Sequence, residues 1–231
     1  MDDLTPNSPF HNSPRRRRPP SDIAERARIF DAPTIRSFDG PFGSMPVLEA
    51  AVDQANLDAR RLEHILIVGP AGAGKQVLAR AIVRELAQQA VEVDGESVES
   101  LSHLMELVRL LKARDVLVVR HVDLMPERGQ QHLAVIVGER RAPRLTRAAL
   151  ERREWLGLTT PEPAPAPLPE FSLLATAADM AKVQPMLRQH IELTLRLATP
   201  NAQCQHAAIR RALAALQLQA DAAAADRLVE L

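Results

Sequence analysis

Residues 62–86, LEHILIVGPAGAGKQVLARAIVREL, leave the chain few choices of fold. Four consecutive apolar residues, Ile65 to Val68, suit a strand buried on both faces of a parallel sheet. Gly69, Pro70, Ala71, Gly72, Ala73, Gly74 and Lys75 follow with the spacing G-x-x-x-x-G-K. Leu78, Ile82 and Leu86 then recur every four residues, one face of a helix. Strand, glycine-rich turn and helix, in that order, form the context a phosphate-binding loop needs. Glycine lets backbone N–H groups turn inward around phosphate oxygens, where a Cβ would obstruct both the turn and the approach. The helix N-terminus adds unpaired N–H groups and partial positive charge. Lys75 is placed to reach the β and γ phosphates, and it is one of only three lysines, with Lys112 and Lys182. The next position departs from the pattern. A Ser or Thr hydroxyl there binds Mg²⁺, and this chain has Gln76.

The rest of the chain is consistent with one α/β domain and a small appendage, since 231 residues at 46% hydrophobic content suffice for a packed, mostly aliphatic core. Net charge is +0, so contact with nucleic acid must come from local basic patches rather than a global field. A single cysteine, Cys204, excludes an intramolecular disulfide and a zinc pattern. No apolar run reaches the length of a membrane span and the N-terminus has no apolar signal core, which points to a cytoplasmic protein without membrane contact.

Residues 1–22 are rich in Pro and Arg and read as a disordered tail. Its Arg15–Arg18 run is either a solvated cluster or a non-specific phosphate contact on DNA or RNA. Residues 23–198 form the expected core, opening with a short helix near 23–30 and a longer one near 47–59. Strands are expected at 90–93, 116–119 and 171–175, with helices between them, one capped by Ser97 and one spanning about 130–139. Within the core, residues 140–170 run basic and then Pro-rich, like an insertion. Ile191, Leu193, Leu195 and Leu197 alternate with polar residues, as a sheet-edge strand does. Ala-rich helices with Ile209, Leu213 and Leu216 on one face fill 199–231. Strands alternating with helices imply a parallel sheet covered by helices on both faces.

The segments LEHILIVGPAGAGK, DVLVVRHVDLM, PEFSLLATA and RQHIELTLRLATP resemble, in order and spacing, the AAA+ core of RuvB, the bacterial Holliday-junction branch-migration motors. FDGPFGS resembles the turn that borders the adenine in that family, which implies a nucleotide contact from Phe42. The resemblance spans roughly residues 37–231 and implies an α/β AAA+ fold with a partial helical lid. It implies ATP or ADP as ligand, a DNA partner, and assembly into AAA+ homo- or hetero-oligomers.

Several positions depart from the family. Its strand corresponding to 116–119 ends in Asp-Glu, one acid supporting Mg²⁺ and the other orienting the attacking water. Here those positions are Arg120 and His121. Arg120 is instead expected to face nucleotide oxygens. The polar sensor position falls on Ala177 or Ala178, with Thr176 one place early, while Arg188 matches the arginine finger that reaches a neighbouring subunit's nucleotide. Together these substitutions imply a pseudo-ATPase that binds nucleotide with doubtful Mg²⁺ and acts as an assembly or regulatory subunit. The alternatives are an active DNA motor and a nucleotide-free scaffold.

Overall fold

The computed structural model describes residues 34–38, 43–98, 100–141 and 167–215. The expectations for the 1–22 segment, the 23–30 helix, Phe42, most of the 140–170 stretch and the helix beyond 215 lie outside the described residues.

Five strands form one parallel sheet: β1 (Ile65–Val68), β2 (Ala90–Asp94), β3 (Val116–Arg120), β4 (Ser172–Ala177) and β5 (Leu193–Arg196), in the order β2-β3-β4-β1-β5. The helices are α1 (Met45–Leu57), α2 (Lys75–Leu86), α3 (Leu101–Arg109), α4 (Glu127–Glu139), α5 (Pro185–Arg188) and α6 (Ala202–Ala215). Because side chains alternate along a strand, the apolar run of β1 feeds two cores. Ile65 and Ile67 pack with Leu48 and Val52 of α1 and with Leu78 and Ile82 of α2. Leu66 and Val68 pack on the opposite face with Leu104 of α3, Leu133 and Ile136 of α4, and Leu187 of α5. Double coverage is why the run is continuous rather than alternating. β5 occupies an edge, as its alternation implies. Among the described residues no helix is long and apolar enough to cross a membrane.

Several boundaries differ from the sequence reading, α1 among them at Met45–Leu57 rather than 47–59. The cap of α3 is Ser100, whose Oγ accepts from the His103 N–H at 3.2 Å. Ser97 instead closes the 3₁₀ turn Gly95–Ser97, its hydroxyl donating to the Asp94 carbonyl at 2.8 Å. Helix α4 starts at Glu127, directly after Pro126, because its first turn is polar and carries no apolar period. Strand β4 runs to Ala177, two residues further than its apolar core suggests.

The lower end of the sheet is tied by a buried histidine. His64, just before β1, is 5% exposed. Its Nδ1 accepts from the Leu173 N–H at 3.0 Å, and its own backbone N–H donates to Glu192 Oε2 at 2.6 Å. Arg61 forks onto the same carboxylate at 3.1 and 3.0 Å. Burial first, then Arg61, pulls the His64 pKa from 6.5 to about 4, with Glu192 opposing. A folded-state pKa below the unfolded one means that the unfolded chain takes up the proton first. The contribution of His64 is therefore complete above pH 6.5 and is lost as pH falls toward about 4. It amounts to about 3 kcal/mol. His64→Asn keeps an acceptor for Leu173 without a titrating ring. Urea unfolding across this range should show the wild type losing about 3 kcal/mol more than the variant; parallel pH profiles would contradict the assignment.

Candidate functional site

Parallel register carries the C-terminal ends of β1, β3 and β4 to one edge of the sheet, with Val68 beside Ala177 and Val119 beside Ala175. There β1 delivers the chain into the glycine-rich loop. Gly72 and Gly74 have φ of +76° and +85°, a region that side-chain-bearing residues rarely adopt. A Cβ on Gly74 would also come within 2.9 Å of the Phe38 ring. Lys75 opens α2 and is 8% exposed, with Nζ donating to the carbonyls of Gly69 at 2.6 Å and Pro70 at 2.8 Å. Burial lowers its pKa from the ordinary lysine value, and the Asp123 carboxylate opposes that shift. The ammonium is thus held by neutral acceptors that a phosphate oxygen can replace with stronger, charge-assisted bonds.

Two cavities flank the loop. One, of about 380 Å³, lies between Phe38 and the loop on one side and Thr199, Pro200, Cys204, Ala208 and Arg211 on the other. Its walls are mostly apolar, and its size falls in the range of small-ligand sites. Arg211 closes one side by donating to the Ser37 carbonyl at 3.1 Å. The second, of about 330 Å³, is lined by Ala71, Gly72, Gly74, Lys75, Gln76, Val77 and His121.

Arg120 lines neither cavity. Its Nε lies 3.3 Å from Glu92 Oε1 and its Nη2 lies 3.3 Å from Asp94 Oδ2, so both of its charge partners are on β2. His121 follows with φ +48°, its N–H donating to the buried Thr176 Oγ1 at 3.2 Å and its Nδ1 standing 3.2 Å from Asp94 Oδ2. Asp123 is buried, and its Oδ2 accepts from the N–H groups of Ala178 and Asp179 at 3.0 Å each. It therefore shapes the turn after β4. Thr176 and Ala177 are fully buried. Arg188 ends α5, half-buried, with Nε shielded from solvent and without a hydrogen-bond partner among the described residues.

Residues 34–197 match the family model of the Holliday junction DNA helicase RuvB P-loop domain. The chain belongs to this family. Among solved structures, the RuvB Holliday junction branch migration motor of Thermotoga maritima is similar at 18% identity and a TM-score of 0.67, covering 87% of this chain and 59% of that one. Two point variants of the same Thermotoga protein are similar at 18% identity, with TM-scores of 0.69 and 0.68 over 87% and 85% of this chain. The chain thus spans 59% of the length of these structures.

Within the RuvB-like frame, the loop residues Gly69 to Lys75 come together as their spacing implies, with Gln76 beside them. Phe42 lies outside the described residues, while Phe38 of the same stretch lines the larger cavity. Asp94 and the α6 residues went unread in the sequence. Asp94 reaches the site through strand register, and α6 through tertiary packing. The phosphate cradle fits a nucleotide. A metal lacks its usual ligands: Gln76 replaces the hydroxyl and Arg120 replaces the acid, while Asp123 has Oδ2 engaged by two N–H groups and keeps only a buried Oδ1 without a hydrogen-bond partner among the described residues. Among the described residues no three His, Cys, Asp or Glu side chains cluster to hold an ion.

Lys75→Ala should abolish nucleotide binding and leave the melting temperature nearly unchanged, because its bonds are to loop carbonyls rather than to the core. Cys204, the sole cysteine, reports on the cavity. ADP should slow its modification by a thiol reagent in the wild type and not in the variant. Equal protection in both would mean that the loop lysine does not hold the ligand.

Proposed function

We propose that this chain is a RuvB-type domain that binds ATP or ADP, hydrolyses it weakly or not at all, and serves as an assembly or regulatory subunit in DNA recombination and repair. One observation carries the reading. The phosphate cradle is built, whereas the end of β3 presents a cation already paired with two carboxylates of β2. Glycine turns and Lys75 bind the phosphates, and the apolar cavity between Phe38 and α6 takes the base end. Phosphoryl transfer depends on positioning and charge stabilisation. With no β3 acid and with Gln76 after the lysine, the chain's own residues supply phosphate binding and few of the groups that turnover needs. The Arg15–Arg18 run supplies a local contact for DNA phosphates. An active branch-migration motor is the rival reading, favoured by the place of His121 at the loop-side cavity.

Turnover of ATP should be negligible, and unchanged by branched DNA. The triple variant Gln76→Thr, Arg120→Asp and His121→Glu should make nucleotide binding depend on Mg²⁺. Wild-type hydrolysis stimulated by DNA would decide for the motor.

Arg188 is proposed to act across a subunit boundary, which its match to the family's arginine-finger position supports. Mixing the protein with an active RuvB-family ATPase should raise that partner's turnover by about tenfold or more. Arg188→Ala should remove the gain; identical stimulation by both proteins would refute the trans role.

A further inference from the structure

We propose that His121, held by Asp94, recognises the terminal phosphate of a nucleoside triphosphate, so that the domain distinguishes triphosphate from diphosphate. The proposal rests on the nucleotide-binding reading above. His121 occupies the position where the family carries an acid, yet its surroundings are built for an imidazole. Its left-handed backbone, φ +48°, is held on two sides, by the Thr176 hydroxyl at its N–H and by the Leu124 N–H donating to its carbonyl at 2.9 Å. The 3₁₀ turn after β2 packs directly against this residue. A Cβ on Gly95 would stand 2.5 Å from the His121 carbonyl oxygen, so only glycine allows the approach. That contact keeps the end of β2, and hence Asp94, alongside the ring.

Asp94 then sets the ring's chemistry. Its Oδ2 lies 3.2 Å from Nδ1, and a carboxylate only accepts, so Nδ1 carries a proton. Nε2 has no hydrogen-bond partner among the described residues, and the ring lines the same cavity as Lys75, Gln76 and the glycines of the loop. A phosphate entering there meets Lys75 from α2 and the imidazole from the end of β3. A fully ionised phosphate only accepts, so above its own second pKa of about 6 the contact forms when Nε2 carries a proton and donates a hydrogen bond to the phosphate. The charged groups around the ring are Asp94 on β2, Arg120 beside it on β3 and Lys75 on α2, whose ammonium the buried Asp123 carboxylate after β3 also faces. Glu92 is engaged by Arg120, and Glu96 meets Asp94 Oδ1 through its backbone N–H. Gln76 and Thr176 bring no charge. Triphosphate binding is therefore coupled to proton uptake and diphosphate binding is not.

The test is calorimetric titration of the full chain with ADP and with a non-hydrolysable ATP analogue, in buffers of different ionisation enthalpy. In the wild type the analogue should take up protons and bind more tightly as pH falls from about 8 to about 7, above the phosphates' own titration, whereas ADP should do neither. His121→Ala should weaken the analogue about tenfold and leave ADP unchanged. His121→Gln should recover part of the affinity through its amide N–H, without proton uptake. His121→Gly, which suits the left-handed backbone, replaces the alanine variant if that one fails to fold. Equal loss for both ligands, no loss for either, or proton uptake that survives in the variants would overturn the proposal. If a folded wild type binds neither nucleotide, the nucleotide-binding reading falls and this proposal falls with it. Binding of both that is lost in Lys75→Ala but indifferent to His121 would overturn this proposal alone.

Discussion

Lys75 sits almost closed to solvent, with its ammonium shared between the carbonyls of Gly69 and Pro70. A buried cation needs acceptors, and here they belong to the loop that the lysine itself terminates. Keeping the ammonium there requires the loop to leave β1 at one level of the sheet and to start α2 within seven residues. It requires left-handed backbone at Gly72 and Gly74, and β1 fixed on both sides by β4 and β5. The two cores exist to hold that geometry. Ile65 and Ile67 anchor β1 against α1 and α2, while Leu66 and Val68 anchor it against the opposite layer. Replacing any of these large buried side chains by alanine removes about 2–5 kcal/mol, and the loop moves with the strand that carries it.

Next to the loop the charges have been redistributed between neighbouring strands. Parallel pairing sets Asp94 directly beside Arg120, so the acid absent from the end of β3 has a counterpart on β2. The pair is partly exposed and contributes little to stability. Its consequence is electrostatic. Arg120 is neutralised in place by Glu92 and Asp94, so the positive field available to a phosphate at the loop comes from Lys75 and the loop N–H groups. The weak metal fit then follows from missing ligands rather than from a bare positive charge. Asp123, two positions past His121, holds the turn after β4 through Oδ2 and also acts electrostatically on the Lys75 ammonium.

Much of this was legible in the order of residues. Apolar runs bounded by turn residues mark β1, β3 and β4, because double burial leaves no alternation to misread. The alternation at Ile191–Leu197 marked the edge for the opposite reason. The loop announced itself by spacing and by a lysine in a lysine-poor chain. Caps were harder: Ser97 and Ser100 are equally good acceptors, and only the 3₁₀ turn after Asp94 decides between them. The pairing of Arg120 with Glu92 and Asp94 is not legible in sequence, because it is made by strand register with β2, which no local pattern reveals. The wall contributed by α6 was hidden for the same reason, being made by tertiary packing of an ordinary alanine-rich helix.

We propose that the phosphate cradle binds nucleotide without relying on a metal. Equilibrium affinity for ADP and ATP, measured on the wild-type chain in excess Mg²⁺ and again in excess chelator, tests it most directly. The two affinities should agree to within about threefold. A loss of about a hundredfold or more in chelator would contradict the account and return the site to ordinary metal-assisted phosphate binding.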